Sequence, residues 1–136
     1  MDVLAQLTAV HGDIQASIQR LEAVAQAAEP DRSELAIVRW KVMHASRARW
    51  RLLEEIVYPE LARRSLIDRP DVVALRADDA TLIARASSHV AAWNADQVLG
   101  DWNEYRVAAN RIVTAMRDRQ AHEKAVLYPL LTGSSG

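Results

Sequence analysis

Cysteine is absent from this 136-residue chain, which excludes disulfides, thiolate metal ligands and thiol catalysis and fits a reducing compartment. Glycine and proline number only four each and fall at a few boundaries, leaving long helical pattern unbroken between them. Neither sign of charge is in excess: 17 basic residues face 18 acidic ones, net −1. That balance offers no strong field to attract a nucleic acid or an anionic membrane. No apolar run is long enough to span a bilayer, and the start, Met1-Asp2-Val3-Leu4, is acidic and leads into amphipathic sequence, unlike a secretory signal. These absences point to a cytoplasmic protein with neither nucleic acid nor membrane as partner.

Half of the residues are apolar, enough for one domain with its own core over residues 1–131. The tail from Thr132 through Ser134 to Gly136 has a flexible composition, native or an expression scar, and is left outside the fold. The first helix is expected from Val3 to Ala27, with Leu4, Leu7, His11, Ile14, Ile18 and Leu21 on one face. Pro30 stops it. Asp31 with Glu34 then reads as a capping box, opening a second helix whose inward face carries Leu35, Val38, Val42, Ala45, Arg49, Leu52 and Ile56. Tyr58-Pro59 ends or kinks that helix, and Ser65 to Pro70 forms the next turn. The third helix places Val72, Leu75, Asp79, Leu82 or Ile83, Ala86 and Trp93 inward. Asn94 to Gly100 is expected as a loop. Asp101 with Glu104 opens the last helix, where Ile112, Met116, Arg119, Glu123 and Val126 share a face and Pro129 terminates it.

Four long helices joined by short turns predict an all-α, up-down-up-down antiparallel four-helix bundle. An internal echo supports paired hairpins: Arg49, Val57, Tyr58 and Pro59 recur in spacing as Arg119, Leu127, Tyr128 and Pro129. Charges on inward stripes are costly unless partners reach them, so depth matters. Arg49 lies 18 residues past Asp31 and Arg119 18 past Asp101, which is roughly 27 Å along an axis rising 1.5 Å per residue. His11 and Asp79 fall in the same layer within a turn, and Glu123 is one turn beyond Arg119. The predicted polar core network is therefore His11, Arg49, Asp79, Arg119 and Glu123.

This arrangement resembles the hemerythrin family of four-helix bundles, specifically bacterial hemerythrin-like domains with the HHE motif. The resemblance is carried by Leu7 to Ile14 with the lone inward His11, the Arg39-Trp40 pair, and two Tyr-Pro segments. These are Glu54 to Leu61 around Tyr58-Pro59 and Glu123 to Leu131 around Tyr128-Pro129. It implies a non-haem di-iron centre used for reversible oxygen binding, nitric oxide or redox sensing, or iron handling. His11 matches the first-helix histidine and Glu123 the last-helix carboxylate. Arg49 and Arg119 stand where the family places a histidine ten residues before each proline, Leu53 replaces a carboxylate, and Asp79 stands near the third-helix histidine position. A guanidinium offers donors only and repels a cation.

The expectation is a domain that has lost its di-iron site to a buried Arg/Asp/Glu/His network, with no cofactor and no catalytic residues, acting as a binding, regulatory or structural module. The alternative is an atypical non-haem iron site on His11, Asp79 and Glu123, with Glu54 or His122 as further ligands, taking oxygen, peroxide or nitric oxide. A small anion between Arg49 and Arg119 is a third option. His44 and His89 lie at other depths and read as surface or boundary residues. Trp40, Trp50, Trp93 and Trp102 read as packing or interface residues; exposure would make Trp50 a contact for a partner protein or a second copy.

Overall fold

The computed structural model describes residues 2–132, among which there are helices and no strands. The order is α1 (Val3–Ala25), α2 (Arg32–Leu52), a π-helical turn (Leu53–Val57), α3 (Tyr58–Arg63), α4 (Pro70–Ala92), α5 (Ala95–Gly100) and α6 (Trp102–Thr132). α1 packs along both α2 and α6, and α4 meets α6. No described helix is long and apolar enough to cross a membrane.

Caps set the helix starts as short polar side chains should. Asp2 accepts from the Ala5 amide at 2.7 Å and Asp31 from the Glu34 amide at 3.0 Å. α1 ends at Ala25, two residues before the expected Ala27. Three expectations at helix ends and turns are corrected. Asn94 to Gly100 is no loop: Asn94 and Gln97 form a reciprocal capping box, and the stretch folds as α5 with Val98 buried. Pro129 does not terminate α6, which runs on to Thr132. Thr132, expected in the tail, closes that helix; the rest of the tail lies outside the described residues.

The Tyr58-Pro59 segment neither ends the helical path nor leaves it regular. The π turn adds a residue ahead of Pro59, whose ring cannot donate an amide and crowds the preceding turn. One extra residue rotates everything after it by about 100° relative to an unbroken α-helix. Ile56 is therefore exposed, against expectation, and Leu53, Val57 and Tyr58 are buried in its place. α3 then closes with Ser65 at φ 60°, the Leu66 amide bonding Leu61 O at 2.8 Å and the Ser65 amide bonding Ala62 O at 3.0 Å. This is a Schellman end, sealed by Leu61 and Leu66 in one apolar cluster.

The apolar interior is two clusters. One gathers Ile14, Ile18, Leu21, Leu35, Val38, Val98, Tyr105 and Val113; the other gathers Leu7, Leu53, Val57, Leu61, Val72, Leu75, Leu127 and Leu131. Along α1, α2 and α6 the sequence passes from one cluster to the other through His11, Arg49 and the Arg119 to Glu123 turn. α4 contributes buried residues only at Val72, Leu75 and Asp79. Of the inward positions expected beyond Asp79, Leu82 and Trp93 are half-buried, whereas Ile83 and Ala86 are exposed.

Candidate functional site: a buried charge network

Between the two apolar clusters lies a polar layer built from four helices and the Tyr-Pro segments. Glu123, fully buried on α6, is its hub. His11 Nε2 lies 2.9 Å from Glu123 Oε1; Arg119 Nε donates to Oε2 at 2.7 Å, and Arg49 Nη1 donates to the same oxygen. Arg119 also reaches the other way: its Nη2 donates to Asp79 Oδ1 and to Leu75 O at 3.0 Å. The Tyr58 hydroxyl donates to Asp79 Oδ2 at 3.1 Å. On the far side of the imidazole, the Tyr128 hydroxyl lies 2.7 Å from His11 Nδ1. Gln120 Nε2 donates to His11 O, tying α6 to α1 one residue from Arg119.

Protons follow from what each group can do. Glu123 as a carboxylate has acceptors only, so the hydrogen between it and the imidazole belongs to Nε2. Nδ1, on the other side of the ring, pairs with the Tyr128 hydroxyl. Two guanidiniums stand against two carboxylates, and pairing of opposite charges is the condition for burying them without a large desolvation cost. No buried side-chain nitrogen or oxygen among the described residues lacks a hydrogen-bond partner.

The two acids are held differently. Burial pushes the Glu123 carboxyl up, but the His11 bond and the charges of Arg49 and Arg119 outweigh it and hold the group below its ordinary range. For Asp79 burial wins: Arg119, Arg49 and the Tyr58 hydroxyl offset only part of it, the Glu123 charge adds to it, and the carboxyl sits above its ordinary range. Arg119 is shared between the two acids, and Glu123 has the further support of His11. Burial and the Asp79 charge likewise raise the Tyr58 phenol.

All five residues expected in the layer meet there. Glu54 and His122, the further ligands of the iron alternative, are exposed, as is His44; His89 is half-buried beside Tyr105. Trp102 is buried and Trp93 half-buried, whereas Trp40 and Trp50 are exposed. Tyr58, Tyr128 and Gln120 are members that the sequence reading missed. Their signal was available: a tyrosine that packs inward keeps a hydroxyl that must find a partner, and buried Tyr58 and half-buried Tyr128 each precede a proline next to a polar layer. Gln120 follows Arg119 on the same inward arc.

The donor set does not fit a metal ion. Among the described residues no three histidine, aspartate or glutamate side chains form a coordinating group. The Arg119 guanidinium is interposed between Asp79 and Glu123, and both ring nitrogens of His11 are engaged, so His11, Asp79 and Glu123 share no open point. The space between Arg49 and Arg119 is taken by the carboxylate of Glu123 instead of a free anion. Compared with known family models, characterised proteins and solved structures, the chain matches none.

Proposed function

We propose that this chain is a hemerythrin-like, up-down four-helix bundle whose di-iron site has been replaced by a self-neutralised ion network, and that it serves as a binding or regulatory module. Support comes from one observation above the others: Arg119 is planted between Asp79 and Glu123, where it consumes the acceptors a cation would need. A permanently protonated fork at that point repels iron and simultaneously removes the reason for the two acids to seek it. The echo of Arg49 and Tyr58 in Arg119 and Tyr128 supports the paired-hairpin origin of the bundle. Each tyrosine reaches a polar side chain on the first helix of the other hairpin, Tyr58 to Asp79 and Tyr128 to His11.

Metal content tests this directly. Protein produced in iron-supplemented cells is expected to carry no stoichiometric iron, manganese or zinc by elemental analysis, and its melting temperature is expected not to move with chelator, because no bound ion stabilises the folded state. Near-stoichiometric metal, with a visible absorption band lost in His11→Ala, would overturn the proposal.

A further inference from the structure

We infer that the outward face of α2 is a docking surface for an acidic amphipathic helix of a partner protein. This gives the binding-module reading a partner class, rests on that reading, and does not involve the buried network.

α2 is apolar on two sides. Its inward side supplies Leu35, Val38 and Ala45, yet Ile37, Trp40, Met43 and Trp50 stand on the opposite side with 40–57% of their surface exposed. A helix that buries one face ordinarily turns charged and polar residues, not large apolar ones, to the other. Stepping from Trp40 by three, four and three reaches Met43, Arg47 and Trp50, a single outward stripe. Two tryptophans with about half of their surface open, together with an isoleucine and a methionine, form an apolar patch of the kind found at the centre of a protein interface. Tryptophan, methionine and arginine are the residues such interfaces concentrate.

The stripe is bounded by an open groove of about 330 Å³ between α1 and α2, lined by Ala16, Ala45, Ala48, Trp40 and His44 among others. The two rings are stacked, with centroids 4.9 Å apart and planes within 10° of each other. Small alanines beside a stacked aromatic pair leave room for one apolar anchor side chain from a facing helix.

Charge selects the partner. Between Leu35 and Leu53 the chain has five cations, Arg39, Lys41, Arg47, Arg49 and Arg51, and no acid, although the whole chain is nearly balanced. Arg49 is spent in the core and Arg39 on Trp93 O and the Tyr105 ring. Lys41, Arg47 and Arg51 remain exposed around the stripe. A second copy would set this face against itself, cation to cation. An apolar ridge flanked by aspartate or glutamate complements it on both counts. Asp13, on the α1 side of the groove, and Glu54 and Glu55, exposed just past Trp50, are the opposing charges that such a ridge must clear.

The test uses the full chain and three synthetic peptides of equal length: a helical peptide with a leucine and phenylalanine ridge flanked by glutamates, the same peptide with lysine at every glutamate, and a scramble of the first. Fluorescence anisotropy of labelled peptide and tryptophan emission follow binding. The acidic helix is expected to bind at least about tenfold more tightly than the other two. Its affinity is expected to fall with added salt, and to drop about tenfold in Trp40→Ala and in Arg47→Glu, both with unchanged melting. If Trp40→Ala misfolds, Arg47→Glu alone decides. Absence of binding, equal binding of the lysine peptide, or indifference to Arg47→Glu would overturn the proposal. So would dimerisation of the protein abolished by Trp40→Ala, or binding to phosphatidylserine vesicles with the acidic peptide ignored. Metal content of the same preparation is read separately: a metal-free protein that ignores the peptide sinks only the docking face, and an iron-loaded one that binds it sinks only the network reading.

Discussion

Glu123 is asked to satisfy three donors with two oxygens, and its removal is the most damaging single change the layer allows. Glu123→Gln keeps the shape but strands the largely buried Arg49 beside a neutral amide and leaves Arg119 with Asp79 as its one carboxylate. Losing one partner of a buried ion network costs about 3–5 kcal/mol. Urea unfolding of the variant is expected to show that loss, and a cost under about 1 kcal/mol would mean that the layer is solvated enough to matter little. Titration gives a second check. Aspartate is ordinarily the stronger acid, but Asp79 is raised from 3.8 and Glu123 lowered from 4.5, so that difference should close or reverse. The signs for stability follow. Glu123, depressed in the folded state, contributes stability in full above about pH 4.5 and loses it as pH falls through its folded value. Asp79, raised, favours the folded state on the acid side and loses that contribution as pH rises through its folded value. Carboxyl carbon NMR shifts on acidification are expected to report Asp79 taking its proton no later than Glu123; Glu123 leading by a clear margin would contradict the assignment.

At the scale of elements, α4 is the uneven member. Its first half inserts Val72 and Leu75 into the apolar cluster and Asp79 into the polar layer, but no residue from Ala80 to Ala92 is fully buried, and Ile83 and Val90 are exposed. A helix is held mainly by the apolar face it buries, so the second half of α4 has little beyond its own hydrogen bonds and the capping of α5 that follows. Amide hydrogen exchange is expected to run at least about tenfold faster over residues 83–92 than over 72–78. Uniform protection along α4 would show that it moves as one unit. This half is also where sequence pattern misled. Leu82, Ile83 and Ala86 keep the right spacing for an inward face, and spacing cannot report whether a neighbouring helix is close enough to receive it. The π turn was hidden for a related reason: periodicity assumes one turn angle, and a residue added before Pro59 shifts the register from Ile56 to Val57 with no change in composition. The long helices and the Asp31 cap were legible, because that side chain and the apolar periods act locally.

For the whole molecule, two apolar cores are joined through a slab of charge, and the five residues that make the slab could be read from sequence because each interrupts an apolar stripe at a matching depth. Their connections could not: which acid Arg119 prefers, and which hydroxyls close the network, depend on distances between helices. The layer's contribution is then a question of alternatives. Ion networks in low dielectric lose in desolvation much of what they gain in attraction, so an apolar layer of similar volume can be as stable, whereas a half-dismantled one cannot. Replacing all five together, His11→Leu, Arg49→Leu, Asp79→Leu, Arg119→Met and Glu123→Met, joins the two clusters into one continuous core. The hydroxyls of Tyr58 and Tyr128 lose their partners, at a cost of about 1–3 kcal/mol each if they stay buried, so Tyr58→Phe and Tyr128→Phe belong in the same variant. This sevenfold variant is expected to unfold at a urea concentration above that of Glu123→Gln alone, although it alters six more residues. The comparison turns on non-additivity, since summed independent costs would put the sevenfold variant far below the single one. If it is the less stable of the two, or melts without a cooperative transition, the charges specify the packing of the helices and are not merely a self-cancelling remnant.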